Sequence, residues 1–67
     1  MAAPILKYFE YDHLPEALQR VSEPFHGLAH RLDQTLPPGP ESSVALRKLL
    51  EGKDAAVRAA LEITKEA

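Results

Sequence analysis

Sixty-seven residues carry ten Asp and Glu against eight Lys and Arg, a formal net charge of -2, and no cysteine. A chain this short makes one small domain with a thin core of its own. The acidic balance lacks the basic surplus of duplex nucleic-acid binders, and without cysteine there are no disulfides or thiolate metal sites, in keeping with a reducing compartment. No apolar run approaches a membrane span and residues 1–6 are too short for a secretory signal, so the expected setting is the cytoplasm, with no membrane and no duplex nucleic acid as partner.

Residues 1–13, MAAPILKYFEYDH, combine Pro4 with an aromatic cluster of Tyr8, Phe9 and Tyr11. They show neither sustained alternation nor a helical repeat, and the expectation is an ordered N-terminal arm. On an extended chain Tyr8 and Phe9 point to different sides, which docks one ring on the helices and leaves another available. In the competing reading all three rings plug the end of the core.

A first helix is expected over residues 14–35. Asp12 is a candidate cap, Pro15 a first-turn proline, and Glu16 sits near the positive end of the helix dipole. Leu14, Leu18, Val21, Phe25, Leu28 and Leu32 follow steps of four and three, a heptad-like packing seam. Pro24 deletes one hydrogen bond and crowds the preceding turn at about 3 kcal/mol or more. Ser22-Glu23-Pro24 is therefore expected to be a kink, or a break at which Ser22 recaps, and Gly27 offers close approach to another backbone or a ligand. His26 and His30, four apart, share a helix face, but the HExxH glutamate and a third ligand are missing. No metal site and no cofactor are expected.

Residues 36–40, LPPGP, cannot continue a helix, and so short a connector makes its neighbours antiparallel. The second helix, residues 41–66, starts with Ser42 or Ser43 as cap and Glu41 at the dipole. Arg47, Glu51, Asp54, Arg58, Glu62 and Lys65 form one solvated stripe, with Arg47–Glu51, Asp54–Arg58 and Arg58–Glu62 as i,i+4 pairs worth a few tenths of a kcal/mol each. Opposite lie two apolar rows, Ala45, Leu49, Ala56, Ala60 and Ile63 beside Leu46, Leu50, Val57 and Leu61, wider than one partner helix covers. The fold expected is all-α, an antiparallel two-helix hairpin with an N-terminal aromatic arm, assembling into a homo-oligomeric bundle.

Lys53 falls between Leu49, Leu50, Val57 and Ala60, on the face that should be buried. Either its stem packs while the ammonium reaches an edge or a carboxylate, or it holds a phosphate at a subunit interface with Gly52 admitting the ligand. Lys48 is a surface cation that would join a phosphate site made between chains. No Ser/His/Asp order, paired carboxylate or glycine-rich phosphate loop is present, and GKD at residues 52–54 lacks the rest of a Walker motif. No catalytic residue and no enzymatic activity are expected.

The segments FEY at residues 9–11, HLP at 13–15, Leu28-Ala29, Leu36-Pro37 and ESSVALRKLLEGKDAAVRAAL from Glu41 together resemble the small helical-hairpin family typified by phage anti-CBASS sponge proteins. The resemblance implies compact hairpins that assemble into homo-oligomers, commonly hexamers, and sequester cyclic oligonucleotide signals without cleaving them, in the cytoplasm of a bacterial host. It implies that Tyr11 stacks on a nucleobase. The family's phosphate-binding lysine, two residues before the Leu-Ala pair, is His26 here, and Pro40 stands where relatives often place an arginine. The ligand implied is a cyclic di- or trinucleotide, with Tyr11 on a base, His26 and Lys53 or Lys48 toward phosphates, and Pro15 shaping the pocket. The alternative is a small helical assembly or protein-interaction module with no nucleotide ligand.

Overall fold

The computed structural model describes residues 3–66, with side chains through Glu62. Two long helices, α1 (Glu16–Thr35) and α2 (Pro40–Glu66), pack side by side, preceded by a 3-10 helix (Pro4–Phe9), and the described residues contain no strand. The pairing of Gly52 with Phe25, where a Cβ on Gly52 would lie 3.8 Å from Phe25 Cε1, and of Leu46 with Leu32 nearer the connector shows the two helices running antiparallel. The long dimension of the molecule, 43 Å, is close to the roughly 40 Å that 27 helical residues span.

The N-terminal segment, expected to be extended, is the 3-10 helix. Pro4 presets the backbone for its first turn. At three residues per turn, side chains at i and i+3 eclipse, so Ala3, Leu6 and Phe9 line up on one side and pack against α1 and α2, with Leu6 and Phe9 buried. Tyr8 faces away and is 57% exposed, whereas Phe9 is fully buried. Two hydrogen bonds tie the segment down: the Ala3 amide donates to Asp33 Oδ1 on α1 at 3.1 Å, and Lys53 Nζ on α2 donates to the Tyr8 carbonyl at 3.0 Å. At about 2.0 Å per residue its six residues cover roughly the length of eight residues of α1, which carries the segment from the connector end to the middle of the hairpin.

α1 begins at Glu16 with Pro15 in the cap position and no side-chain cap; Asp12 does not cap it. The start is instead held by the Pro15 carbonyl, which accepts from the Leu18 and Gln19 amides, and by Gln19 Nε2, which donates to the Leu14 carbonyl at 2.7 Å. The helix continues through Pro24 without a break. Ser22 does not recap there, since its hydroxyl is fully buried and has no hydrogen-bond partner. A Cβ on Gly27 would meet nothing within 4 Å, so Gly27 mediates no close approach within the chain.

The packing seam of α1 differs from the expected row at two places. Leu18, Ser22, Phe25, Ala29 and Leu32 face inward, with Leu18, Ser22 and Ala29 buried, while Leu28 is 43% exposed and Val21 lies half-buried on the flank. Both rows have steps of four and three; the inward one puts small Ser22 and Ala29 where the larger Val21 and Leu28 would hold the helices apart. On α2, Leu46 and Ala60 are buried and Ala45, Leu49, Leu50, Ala56 and Val57 half-buried, whereas Leu61 is exposed. The side chains of Ile63 and Lys65 lie outside the described residues.

α2 starts at Pro40, earlier than the expected Ser42 or Ser43 cap. Proline fits the first helical position because its missing amide would be unbonded there anyway, and Ser42 Oγ donates back to the Gly39 carbonyl at 2.9 Å instead of accepting from an amide. The ion pairs also regroup. Among the described residues, Glu51 meets Lys48 at 3.5 Å instead of Arg47, and Asp54 meets Lys53 at 3.8 Å instead of Arg58.

Phe9→Ala is expected to cost about 3 to 5 kcal/mol, comparable with the whole stability of a domain this size at roughly 0.05–0.15 kcal/mol per residue. In urea the variant should be largely unfolded at midpoints where the parent is folded. Ser22→Ala should act the other way, because it removes a buried hydroxyl without a partner and gains helix propensity. A gain of about 1 kcal/mol is expected, and a lower urea midpoint for Ser22→Ala would show that the hydroxyl is satisfied in solution.

Candidate functional site

The turn between the 3-10 helix and α1 brings an aromatic residue onto the side of α1. The Leu14 amide donates to the Tyr11 carbonyl at 3.0 Å, which closes the turn and holds the half-buried Tyr11 beside the helix. There its ring meets His26 edge-on, with centroids 5.1 Å apart and planes at 77°, an arrangement favoured by aromatic quadrupoles. One helical turn further on, His30 stands 4.3 Å from His26, centroid to centroid, with the planes tilted by 45°. Tyr11, His26 and His30 thus form a continuous row of three rings.

A shallow depression of about 340 Å³ opens beside this row, lined by Glu10, Tyr11, Asp12 and His26. Of the residues singled out in the sequence, it joins Tyr11 and His26. It does not include the other three. Pro15 is exposed and lines no part of it, acting on Tyr11 only through the turn that it follows. Lys48 is exposed on α2 and paired with Glu51. Lys53 is 9% exposed, and its ammonium is engaged by the Tyr8 carbonyl. The stem packs and the charged head reaches a carbonyl at the margin of the core, which places Lys53 in the docking of the 3-10 helix.

Glu10 was not singled out in the sequence and Asp12 only as a helix cap, yet the two give the depression a negative rim that no lysine or arginine in its lining offsets. The signal was available in the alternation of Glu10-Tyr11-Asp12, which sets two carboxylates on either side of one ring. Lys7 also escaped notice. Its ammonium lies 5.1 Å from the centroid of the exposed Tyr8 ring, a cation–π contact on the outer side of the 3-10 helix. Among the described residues, no group of three His, Cys, Asp or Glu side chains is arranged to hold a metal ion, and no helix is long and apolar enough to cross a membrane.

A larger depression, about 520 Å³, lies between the start of the 3-10 helix and the connector, lined among others by Pro4, Asp33, Pro38, Ser42, Ser43 and Leu46. Its lining holds no aromatic ring and no cation, so it offers neither a stacking platform nor a counter-charge. No protein-family model, curated protein or solved structure matches this chain. The reading of the site rests on the geometry of its own residues.

Lys53→Met keeps the apolar stem and removes the donor to the Tyr8 carbonyl, at an expected cost of about 1 to 3 kcal/mol for the orphaned acceptor. The cost should be local. Hydrogen exchange at the Leu6 and Glu10 amides, which bond to the Ala3 and Lys7 carbonyls within this segment, should quicken relative to amides of α2. Unchanged exchange at both would mean that the ammonium contributes nothing to docking.

Proposed function

We propose that this chain is a non-enzymatic binding protein that sequesters a cyclic di- or trinucleotide between copies of a helical hairpin, with Tyr11 stacking on a base. The observation that carries the proposal is the placement of Tyr11, locked by its turn against His26 at 5.1 Å and lining, with it, a shallow depression. A ring fixed in advance gives a base a platform without the entropic cost of ordering it.

A single copy supplies the ring without the counter-charge. Lys48 and Lys53 lie outside the depression and have partners of their own, and the depression itself is flanked by Glu10 and Asp12. Phosphates of a bound cyclic nucleotide are therefore neutralised by cations of a neighbouring copy, Lys48 being the exposed candidate. Self-association has its own support, since the flank of α1 leaves Val21 half-buried and Leu28 43% exposed.

Light scattering is expected to give a mass that is a multiple of 7.4 kDa; a stable monomer at micromolar concentration would overturn the interchain site. In calorimetric titrations against cyclic di- and trinucleotides, Tyr11→Ala should weaken binding by about 1 to 3 kcal/mol, the range for one base stack. His26→Lys should strengthen it at neutral pH by adding a permanent cation. An oligomer that binds none of these nucleotides would make the protein an assembly module, for which the apolar flank of α1 alone is the functional surface.

A further inference from the structure

The row of rings contains a second kind of chemistry that base stacking does not use. His26 and His30 stand one helical turn apart on the same face of α1, both half-buried, with ring centroids separated by 4.3 Å. Two imidazoles four residues apart on a helix are a recurring pair of transition-metal ligands. With metal–nitrogen bonds of about 2.0–2.1 Å, each ring centroid lies roughly 3.2 Å from the ion. Rings bound at a right angle are then about 4.5 Å apart and rings bound tetrahedrally about 5.2 Å. The observed 4.3 Å is a little shorter than both and nearer the right-angled case.

We infer that His26 and His30 form a two-imidazole site for a divalent transition-metal ion that favours square or octahedral geometry, Cu2+ or Ni2+ ahead of Zn2+. Water completes the coordination, consistent with the absence of a third converging ligand among the described residues. The carboxylates of Glu10 and Asp12, beside His26 in the same depression, oppose a phosphate and favour a dication. The local negative potential thus adds to the affinity without either side chain acting as a ligand. Ligand preference follows the same order as the geometry, because imidazole suits copper and nickel and affinity rises toward Cu2+.

The test is calorimetric titration of tag-free protein with NiCl2 and CuCl2 in the absence of nucleotide, supported by electron paramagnetic resonance of the Cu2+ form. One ion per chain with nitrogen hyperfine structure is expected. His26→Ala and His30→Ala should each weaken binding by more than about a hundredfold, beyond what the loss of an outer-shell partner does, while His13→Ala leaves it unchanged. Circular dichroism checks that each variant folds, and a conservative His30→Gln accompanies the alanine variant. No binding by the parent, binding retained in either His26→Ala or His30→Ala, or loss in His13→Ala would overturn the site. Because Tyr11→Ala removes the base stack but neither imidazole, and His30→Ala removes a metal ligand but no proposed nucleotide contact, the metal site and the nucleotide site fail separately.

Discussion

Two helices touching along a single seam enclose very little, and the structure depends on what fills the groove between them. The 3-10 helix does this with one side only. Its three-residue period stacks Ala3, Leu6 and Phe9 into a wedge that meets Phe25, Leu32, Leu49 and Leu50, so the core is a three-element contact although only two elements are long. The wedge cannot be held by apolar contact alone, because the last carbonyls of a short 3-10 turn have no partner inside the helix. Lys53 answers one of them. Its four-carbon stem crosses the apolar face of α2 and its ammonium reaches the Tyr8 carbonyl at 3.0 Å, with the Asp54 carboxylate 3.8 Å away as a partly exposed counter-charge. A charge on a buried face is costly unless it is hydrogen-bonded, and here it is placed where the incoming chain offers an acceptor.

The same close packing decides which face of α1 remains outward. With Ser22 and Ala29 at the crossing, the helices can approach, and the larger Val21 and Leu28 are displaced onto the flank. That displacement leaves Val21 half-buried and Leu28 43% exposed in the single chain. A thin core and a partly uncovered apolar flank are two consequences of one choice of small residues, and the proposed association of copies would relieve both together. The proposed interchain site follows from this economy, because the ring that offers a stacking platform and the exposed Lys48, paired with Glu51, lie on different elements of one copy.

Much of the architecture was legible from the residues. The proline-rich connector, the long second helix and the solvated stripe of Arg47, Glu51, Asp54, Arg58 and Glu62 follow from local rules that tertiary contacts did not override. The 3-10 helix was not legible, since a repeat of three over six residues resembles neither the alternation of a strand nor the 3.6-residue period of an α-helix. The seam of α1 was misplaced for another reason. Hydrophobicity favours Val21 and Leu28, whereas helix approach favours Ser22 and Ala29, and side-chain volume at a crossing is set by a partner that a local pattern does not contain. Pro24 does not break α1, because a missing amide on the exposed side can be carried within a helix whose other face is packed along its length.

For the site, sequence spacing placed His26 and His30 together correctly and could not place Tyr11 against them. That contact is made by the Tyr11–Leu14 turn, a feature of backbone geometry. The turn also decides the electrostatics, because holding Tyr11 against α1 draws Glu10 and Asp12 to the same depression. Their charge works against a phosphate and for a metal dication, so the two proposed ligands make opposite demands on one surface. A divalent metal ion on the imidazole pair would offset the two carboxylate charges of Glu10 and Asp12 next to Tyr11. The opposition between the carboxylates and a nucleotide would then be a property of the metal-free site, and occupancy of the two imidazoles would set how strongly the depression repels a phosphate.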